Sequence, residues 1–150
     1  MGGMEHAKPN KVVIMQGVSG SGKSSWAKKH YPDALVCSAD HYFEVEGEYR
    51  YDRNDVPEAH RHCLRKFVEA LTRNEPLVVV DNVNITKVDM APYVALAEAL
   101  GYDIEIVRVH ASVETCARRG RHGVPLEVCQ AQAQHMEKPL RRWRAKIRKV

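Results

Sequence analysis

The stretch Gly17-Val18-Ser19-Gly20-Ser21-Gly22-Lys23-Ser24 constrains this chain more than any other. An apolar run, Val12-Val13-Ile14-Met15, precedes it, and Ser25-Trp26-Ala27-Lys28-Lys29 follows with the character of an opening helix, so the order is strand, glycine-rich turn, helix. In that context the stretch is a P-loop pattern. Its glycines let successive backbone N–H groups point into one concavity, and the helix start adds the positive end of its dipole, so a polyphosphate fits there. Gly17, Ser19, Gly20, Ser21, Gly22 and Ser25 are expected to surround a nucleotide. Lys23 is expected to reach its β and γ phosphates, and Ser24 to hold Mg²⁺ through its hydroxyl.

The rest of the chain alternates helical and extended patterns around that turn. Strands are expected at about Lys11–Gln16, Leu35–Ser38, Leu77–Val80 and Ile104–Val109, the last with an alternation that suggests a place nearer the sheet edge. A helix is expected from about Gly22 to His30, stopped by Pro32. Ala59, Cys63, Phe67, Ala70 and Leu71 recur at helical spacing between Pro57 and Arg73. Thr86 with Asp89 opens a third helix that Gly101 closes. A short helix follows Ser112, and another helical region starts near Pro125. The charged, tyrosine-rich segment from Tyr42 to Pro57 suits a surface excursion with a short helix or hairpin. Parallel pairing with right-handed crossovers then gives a three-layer α/β P-loop sandwich with a four-stranded, or five-stranded, parallel sheet and an arginine-bearing lid.

At 150 residues and 44% hydrophobic content, positions 11–150 are expected to form a single domain, preceded by a flexible leader over 1–10 and ending in a basic tail. No apolar run approaches a bilayer span and the first residues lack a signal-peptide core, so no membrane partner and a cytoplasmic setting are expected. Four widely spaced cysteines without a CxxC pair agree with reduced thiols there. The net charge of +4 is unevenly placed. Arg118, Arg119 and Arg121 cluster between breakers, and Arg141, Arg142, Arg144, Lys146, Arg148 and Lys149 crowd the C-terminus, which suits an anionic partner.

In such a sheet the active cleft lies at the carboxyl ends of the strands. The P-loop, Asp40 and Asp81-Asn82-Val83-Asn84 all fall at such ends. Asp40 is placed as a general base that accepts the proton of an attacking hydroxyl. Asp81, on the strand expected beside the P-loop strand, can act on Mg²⁺ directly or through water. The arginines after Ser112 suit a mobile lid, because a planar fork of donors grips phosphate oxygens bidentately. His60 and His62 cannot share one helix face, so at most one turns toward the cleft.

The P-loop with Ser25-Trp26-Ala27, Ser38-Ala39-Asp40-His41-Tyr42, Asp81-Asn82-Val83-Asn84, and Arg118-Arg119-Gly120-Arg121-His122-Gly123-Val124-Pro125 occur in this order. Together they resemble the kinase module of bacteriophage-type 5′-polynucleotide kinases and, more closely, small single-domain P-loop proteins related to it. The resemblance implies transfer of the γ phosphate of ATP, or of another triphosphate such as GTP, to a 5′-hydroxyl end of RNA or DNA, a reaction of nucleic-acid repair. It puts Asp40 on the general base and Lys23 and Ser24 on the phosphate and magnesium residues. Arg119 or Arg121 falls on the lid arginine that contacts the transferred phosphate, with Arg118 beside the nucleotide. Tyr42, Arg53, His60, Asn82 and Asn84 are the residues expected at the acceptor. Phe43 stands where the phage pattern has an arginine for the acceptor's 3′ phosphate, so Arg50, Arg53, Arg61 or Arg65 is expected to take over that contact. Two other readings use the same residues: a kinase for a small hydroxylated molecule, and a nucleotide- or RNA-binding module without transfer. Asp40 speaks against the second, since binding alone needs no base.

Overall fold

The computed structural model describes residues 9–120 and 122–150. The leader expected over 1–10 falls mostly outside the described residues, but Asn10 does not hang free: its carbonyl accepts the Asp103 N–H at 2.8 Å. Five strands form one all-parallel sheet: β1 (Lys11–Gln16), β2 (Leu35–Cys37), β5 (Leu77–Asp81), β6 (Asp103–Arg108) and β7 (Ala145–Lys149), in the order β2-β5-β1-β6-β7. A two-stranded hairpin, β3 (Glu44–Val45) and β4 (Glu48–Tyr49), stands apart from it. The helices are α1 (Lys23–His30), α2 (Val56–Thr72), α3 (Lys87–Ala99), α4 (Val113–Arg119) and α5 (Leu126–His135).

The period of two in a strand explains the layers. Val12, Ile14, Val78, Val80, Ile104 and Ile106 point to one face, where α2 and α3 cover them with Cys63, Phe67, Met90 and Val94. Val13, Met15, Val79 and Val107 point to the other, against Ala27 and Trp26 of α1. Both faces are buried, so the central strands read as unbroken apolar runs. Each fully buried Val, Ile or Phe here stabilises the fold by about 1.5–3 kcal/mol.

The strand over Asp103–Arg108 lies next to the edge of the sheet, between β1 on one side and β7 on the other. Its alternation comes from Glu105, which faces the α1 side at 1% exposure. The basic run near the C-terminus is not a tail throughout, because Ala145–Lys149 is the fifth strand. Glu105 gives the reason: it accepts from Tyr31 Oη at 2.8 Å and lies 3.6 Å from Lys11 Nζ and 3.3 Å from Arg148 Nη2. The guanidinium of Arg148 also stands 5.9 Å from the centre of the Trp26 ring.

A pH dependence follows from this cluster. Burial alone pushes the Glu105 carboxyl up, but the Tyr31 hydrogen bond and then the Lys11 and Arg148 charges outweigh it and hold the group below the ordinary carboxylate value. A native pKa below the unfolded one means that protonation favours unfolding. The stabilisation is complete above the ordinary value of 4.5 and is lost as pH falls through the native one. Denaturant midpoints measured from pH 7 down to pH 3 are therefore expected to fall. Glu105→Gln should flatten the drop; an unchanged slope in that variant would assign the acid sensitivity elsewhere.

Candidate active site

The turn between β1 and α1 is built by backbone geometry. Gly20 (φ 79°) and Gly22 (φ 99°) take left-handed conformations, and the Ser21 N–H closes a turn on the Val18 carbonyl at 3.0 Å. Gly22 caps α1 without any side-chain hydrogen bond, which leaves the first N–H groups of that helix open to an anion. The Lys23 ammonium is buried and donates to the Val18 carbonyl at 3.2 Å. Burial lowers its pKa, with Asp81 and Asp40 opposing through their charges, so Lys23 lies in the field of both carboxylates. Ser24 Oγ donates to Asp81 Oδ2 at 2.5 Å.

Asp40 reaches the same space from the other side. It lies in a 3-10 turn over Ala39–Phe43 that follows β2, with Ser38 Oγ accepting the Asp40 N–H at 3.2 Å. Asn82 Oδ1 accepts the Ala39 N–H at 2.8 Å and fixes the start of that turn. Asp40 is exposed, and Tyr49 Oη donates to its Oδ1 at 3.1 Å. His122 stacks on the Tyr49 ring with centroids 3.6 Å apart and interplanar angle 17°, and its Nε2 is 3.8 Å from Asp40 Oδ2.

One cavity of about 1100 Å³ joins the two sides. Lys23, Ser24, Asp81 and Ser19 line its nucleotide half; Asp40, Phe43, Tyr49, Tyr51, Arg53 and His60 line the other. Its volume is larger than the roughly 300–1,000 Å³ of a single-ligand pocket, which leaves room for two ligands side by side. Arg119 reaches it from the end of α4, with Nη1 3.8 Å from where a Cβ on Gly22 would stand.

Several residues expected at the site have other work. Tyr42 is not among the cavity's lining residues; its ring lies against Phe43 at 5.5 Å and His62 at 5.7 Å. The physical reason is the 3-10 turn, whose three residues per turn aim the side chain two places after Asp40 well away from it. Asn82 and Asn84 border the cavity but are buried, with their amide protons spent inside the protein. Asn82 Nδ2 donates to Cys63 Sγ at 3.4 Å, and Asn84 Nδ2 to the Met15 carbonyl at 2.7 Å and the Asn82 carbonyl at 3.3 Å. Through these bonds they hold the strand ends together. Arg118 turns to Thr115 Oγ1 at 3.3 Å and does not line the cavity. Gly17 lies beneath the loop and also does not line it. Arg121 lies outside the described residues.

The structure also adds residues. Tyr49 and His122 contact Asp40, and Gln132 of α5 accepts the Ser19 N–H at 2.9 Å, so the segment after α4 packs on the P-loop itself. The turn that brings Tyr49 back is visible in the chain: Glu46 (φ 51°) and Gly47 (φ 81°) are both left-handed, as a two-residue hairpin requires.

A parallel five-stranded sheet with a phosphate loop after its central strand, and a carboxylate at the end of the next one, defines the P-loop kinase fold. The AAA domain family matches residues 12–140, and the chain belongs to that family. A chain of the Pnkp1/Rnl/Hen1 RNA repair complex shares the fold at a TM-score of 0.68 and 17% identity, over 89% of this chain and 46% of that one. A gluconokinase from Sinorhizobium meliloti 1021 does so at a TM-score of 0.56 and 25% identity, over 95% and 83%. NEDD4-binding protein 2 of Homo sapiens is 29% identical over 134 residues, 85% of this chain. The chain spans only 8% of that relative's length.

The fold implies a nucleotide with a divalent cation, and the residues present fit both. Ser24 and Asp81 offer the hard oxygen donors such a cation takes. Ser21 does not line the cavity: its Oγ is buried on the Gly17 side of the loop, with no hydrogen-bond partner among the described residues. Among the described residues no helix is long and apolar enough to cross a membrane.

Proposed function

We propose that this chain transfers the γ phosphate of ATP, with Mg²⁺, to a 5′-hydroxyl end of RNA or DNA, with Asp40 as general base. The observation that carries the reading is the composition of the Asp40 half of the cavity. Phe43, Tyr49 and Tyr51 pack as one aromatic cluster, with centroids 5.1 Å apart for Phe43–Tyr51 and 5.9 Å for Phe43–Tyr49; Phe43 is buried and His122 covers one face of Tyr49, so Tyr51 is the ring exposed to a ligand. Aromatic faces suit a nucleobase, whose stacking contributes about 1–3 kcal/mol per base. A small polyhydroxy acid needs a dense set of polar partners instead.

Arg53 supports the same acceptor. Arg50 pairs with Glu48 at 3.2 Å, while Arg61 and Arg65 pair with Glu58 at 3.2 and 2.8 Å. Arg53 lines the cavity and carries no ion pair among the described residues, so of the four arginines it is the one free to grip an acceptor phosphate. Arg53→Ala is expected to raise the KM for an oligonucleotide about tenfold, the loss of one charge-assisted contact, with kcat little changed. Steady-state kinetics over a range of oligonucleotide concentrations check it, and an unchanged KM would remove Arg53 from the acceptor site.

In this reading the P-loop N–H groups and Lys23 bind the β and γ phosphates, and Arg119 meets the charge that builds on the transferred group. Asp40 Oδ2 takes the proton of the 5′-hydroxyl as its oxygen bonds to the γ phosphorus and the bond to the bridging oxygen breaks, releasing ADP. Mg²⁺ held by Ser24, with Asp81 at its side, would neutralise phosphate charge. The gluconokinase likeness favours a second reading, a small hydroxylated acceptor. Incubation with γ-labelled ATP, Mg²⁺ and either a 5′-hydroxyl oligoribonucleotide or gluconate separates the two. Label on the oligonucleotide supports the proposal, and label on gluconate alone replaces it.

A further inference from the structure

We propose that Tyr49 is the positioning residue for Asp40: its hydroxyl holds Oδ1 so that Oδ2, which accepts no hydrogen bond among the described residues and has His122 Nε2 3.8 Å away, is turned to the acceptor, and the His122 ring stacked on Tyr49 ties that arrangement to the segment after α4. The inference rests on the reading of Asp40 as general base. Asp40 stands exposed on a 3-10 turn, where a carboxylate on a short side chain is free to rotate, and proton transfer needs one lone pair held toward the acceptor oxygen. The 3.1 Å bond from Tyr49 Oη is the only side-chain hydrogen bond to the carboxylate among the described residues. A carboxylate has two oxygens and needs one for catalysis, so a donor on the other costs no basic site and removes a rotation.

The tyrosine is itself held. Its backbone is in β4, its ring meets Phe43 edge-on at 5.9 Å and lies parallel to Tyr51 at 6.4 Å, and His122 covers it at 3.6 Å. Burial, and next the Asp40 charge, push the phenol above its ordinary value, so the hydroxyl keeps its proton and remains a donor. Three distant parts of the chain meet here: the turn after β2, the β3–β4 hairpin, and the loop between α4 and α5.

The test is a four-protein cycle of wild type, Asp40→Asn, Tyr49→Phe and the double variant. It reads single-turnover transfer from γ-labelled ATP to a 5′-hydroxyl oligoribonucleotide, with ATP affinity measured in parallel. Tyr49→Phe keeps the ring and its stack. It is expected to lower kcat about 10- to 100-fold, as misplacement of a catalytic group does, with ATP affinity unchanged. In the Asp40→Asn background the same change should cost nothing more, because a residue acting through Asp40 has nothing left to position. Equal losses in both backgrounds, or wild-type turnover in Tyr49→Phe beside an inactive Asp40→Asn, overturn the inference and leave the base assignment standing. Full turnover in Asp40→Asn, or a wild type that labels no oligonucleotide, overturns the reading beneath it.

Discussion

Asp40→Asn is expected to lower turnover with a 5′-hydroxyl oligonucleotide by about 10²–10⁴-fold, the usual contribution of a positioned general base. The change is close to isosteric. The new amide would still accept from Tyr49 through its side-chain carbonyl, and the Ser38 and Asn82 contacts that shape the turn involve backbone N–H groups and are untouched. Thermal stability should therefore stay within about 0.5 kcal/mol of wild type, as for most exposed substitutions. ATP affinity should also hold, since the nucleotide half of the cavity is built from the P-loop, Ser24 and Asp81. This split separates chemistry from binding, and a variant with wild-type turnover would remove the base from the account.

The second large effect is on the loop itself. A Cβ on Gly20 would stand 2.1 Å from the Cys116 carbonyl oxygen, and the residue's φ of 79° belongs to the left-handed region. Left-handed strain costs about 1–2 kcal/mol and forced repacking about 1–3 kcal/mol more. Gly20→Ala is thus expected to destabilise the protein by about 2–5 kcal/mol. Relief of the clash must move either the P-loop or α4, so ATP binding should be lost as well. Gly47 makes the comparison: its φ is 81°, but nothing lies within 4 Å of an added Cβ, so Gly47→Ala should show the backbone strain alone. Urea denaturation and ATP titration of the two variants read the difference. Equal destabilisation would mean that α4 does not bear on the loop.

What could be read from the chain was what the chain states locally. The P-loop, its flanking strand and helix, and the Thr86–Asp89 capping box are made by neighbours in sequence, and each is found where its pattern lies. Asp40 and Asp81 could be placed because strand ends in a parallel sheet share one side. Asn82 and Asn84 share that location but turn inward, and no pattern distinguishes a strand-end amide that faces a ligand from one that ties down backbone. Tyr42 followed Asp40 in the chain, whereas the tyrosine that touches it, Tyr49, is nine residues on and needs the hairpin to return. His122 depends on a meeting of segments far apart in the chain. The last strand was hidden for an electrostatic reason: Lys146 and Lys149 are exposed, and Arg148 looks like part of the same solvated run until the buried Glu105 it pairs with is known.

The central claim is that the hydroxyl facing Asp40 is the 5′ end of a polynucleotide. It is tested most directly by offering wild-type protein, γ-labelled ATP and Mg²⁺ an equal mixture of two oligoribonucleotides of one sequence, one ending in a 5′-hydroxyl and the other in a 5′-phosphate. The account predicts label on the first alone, recovered as the terminal 5′-phosphate after digestion to mononucleotides. Consumption of ATP with both oligonucleotides unlabelled would contradict it.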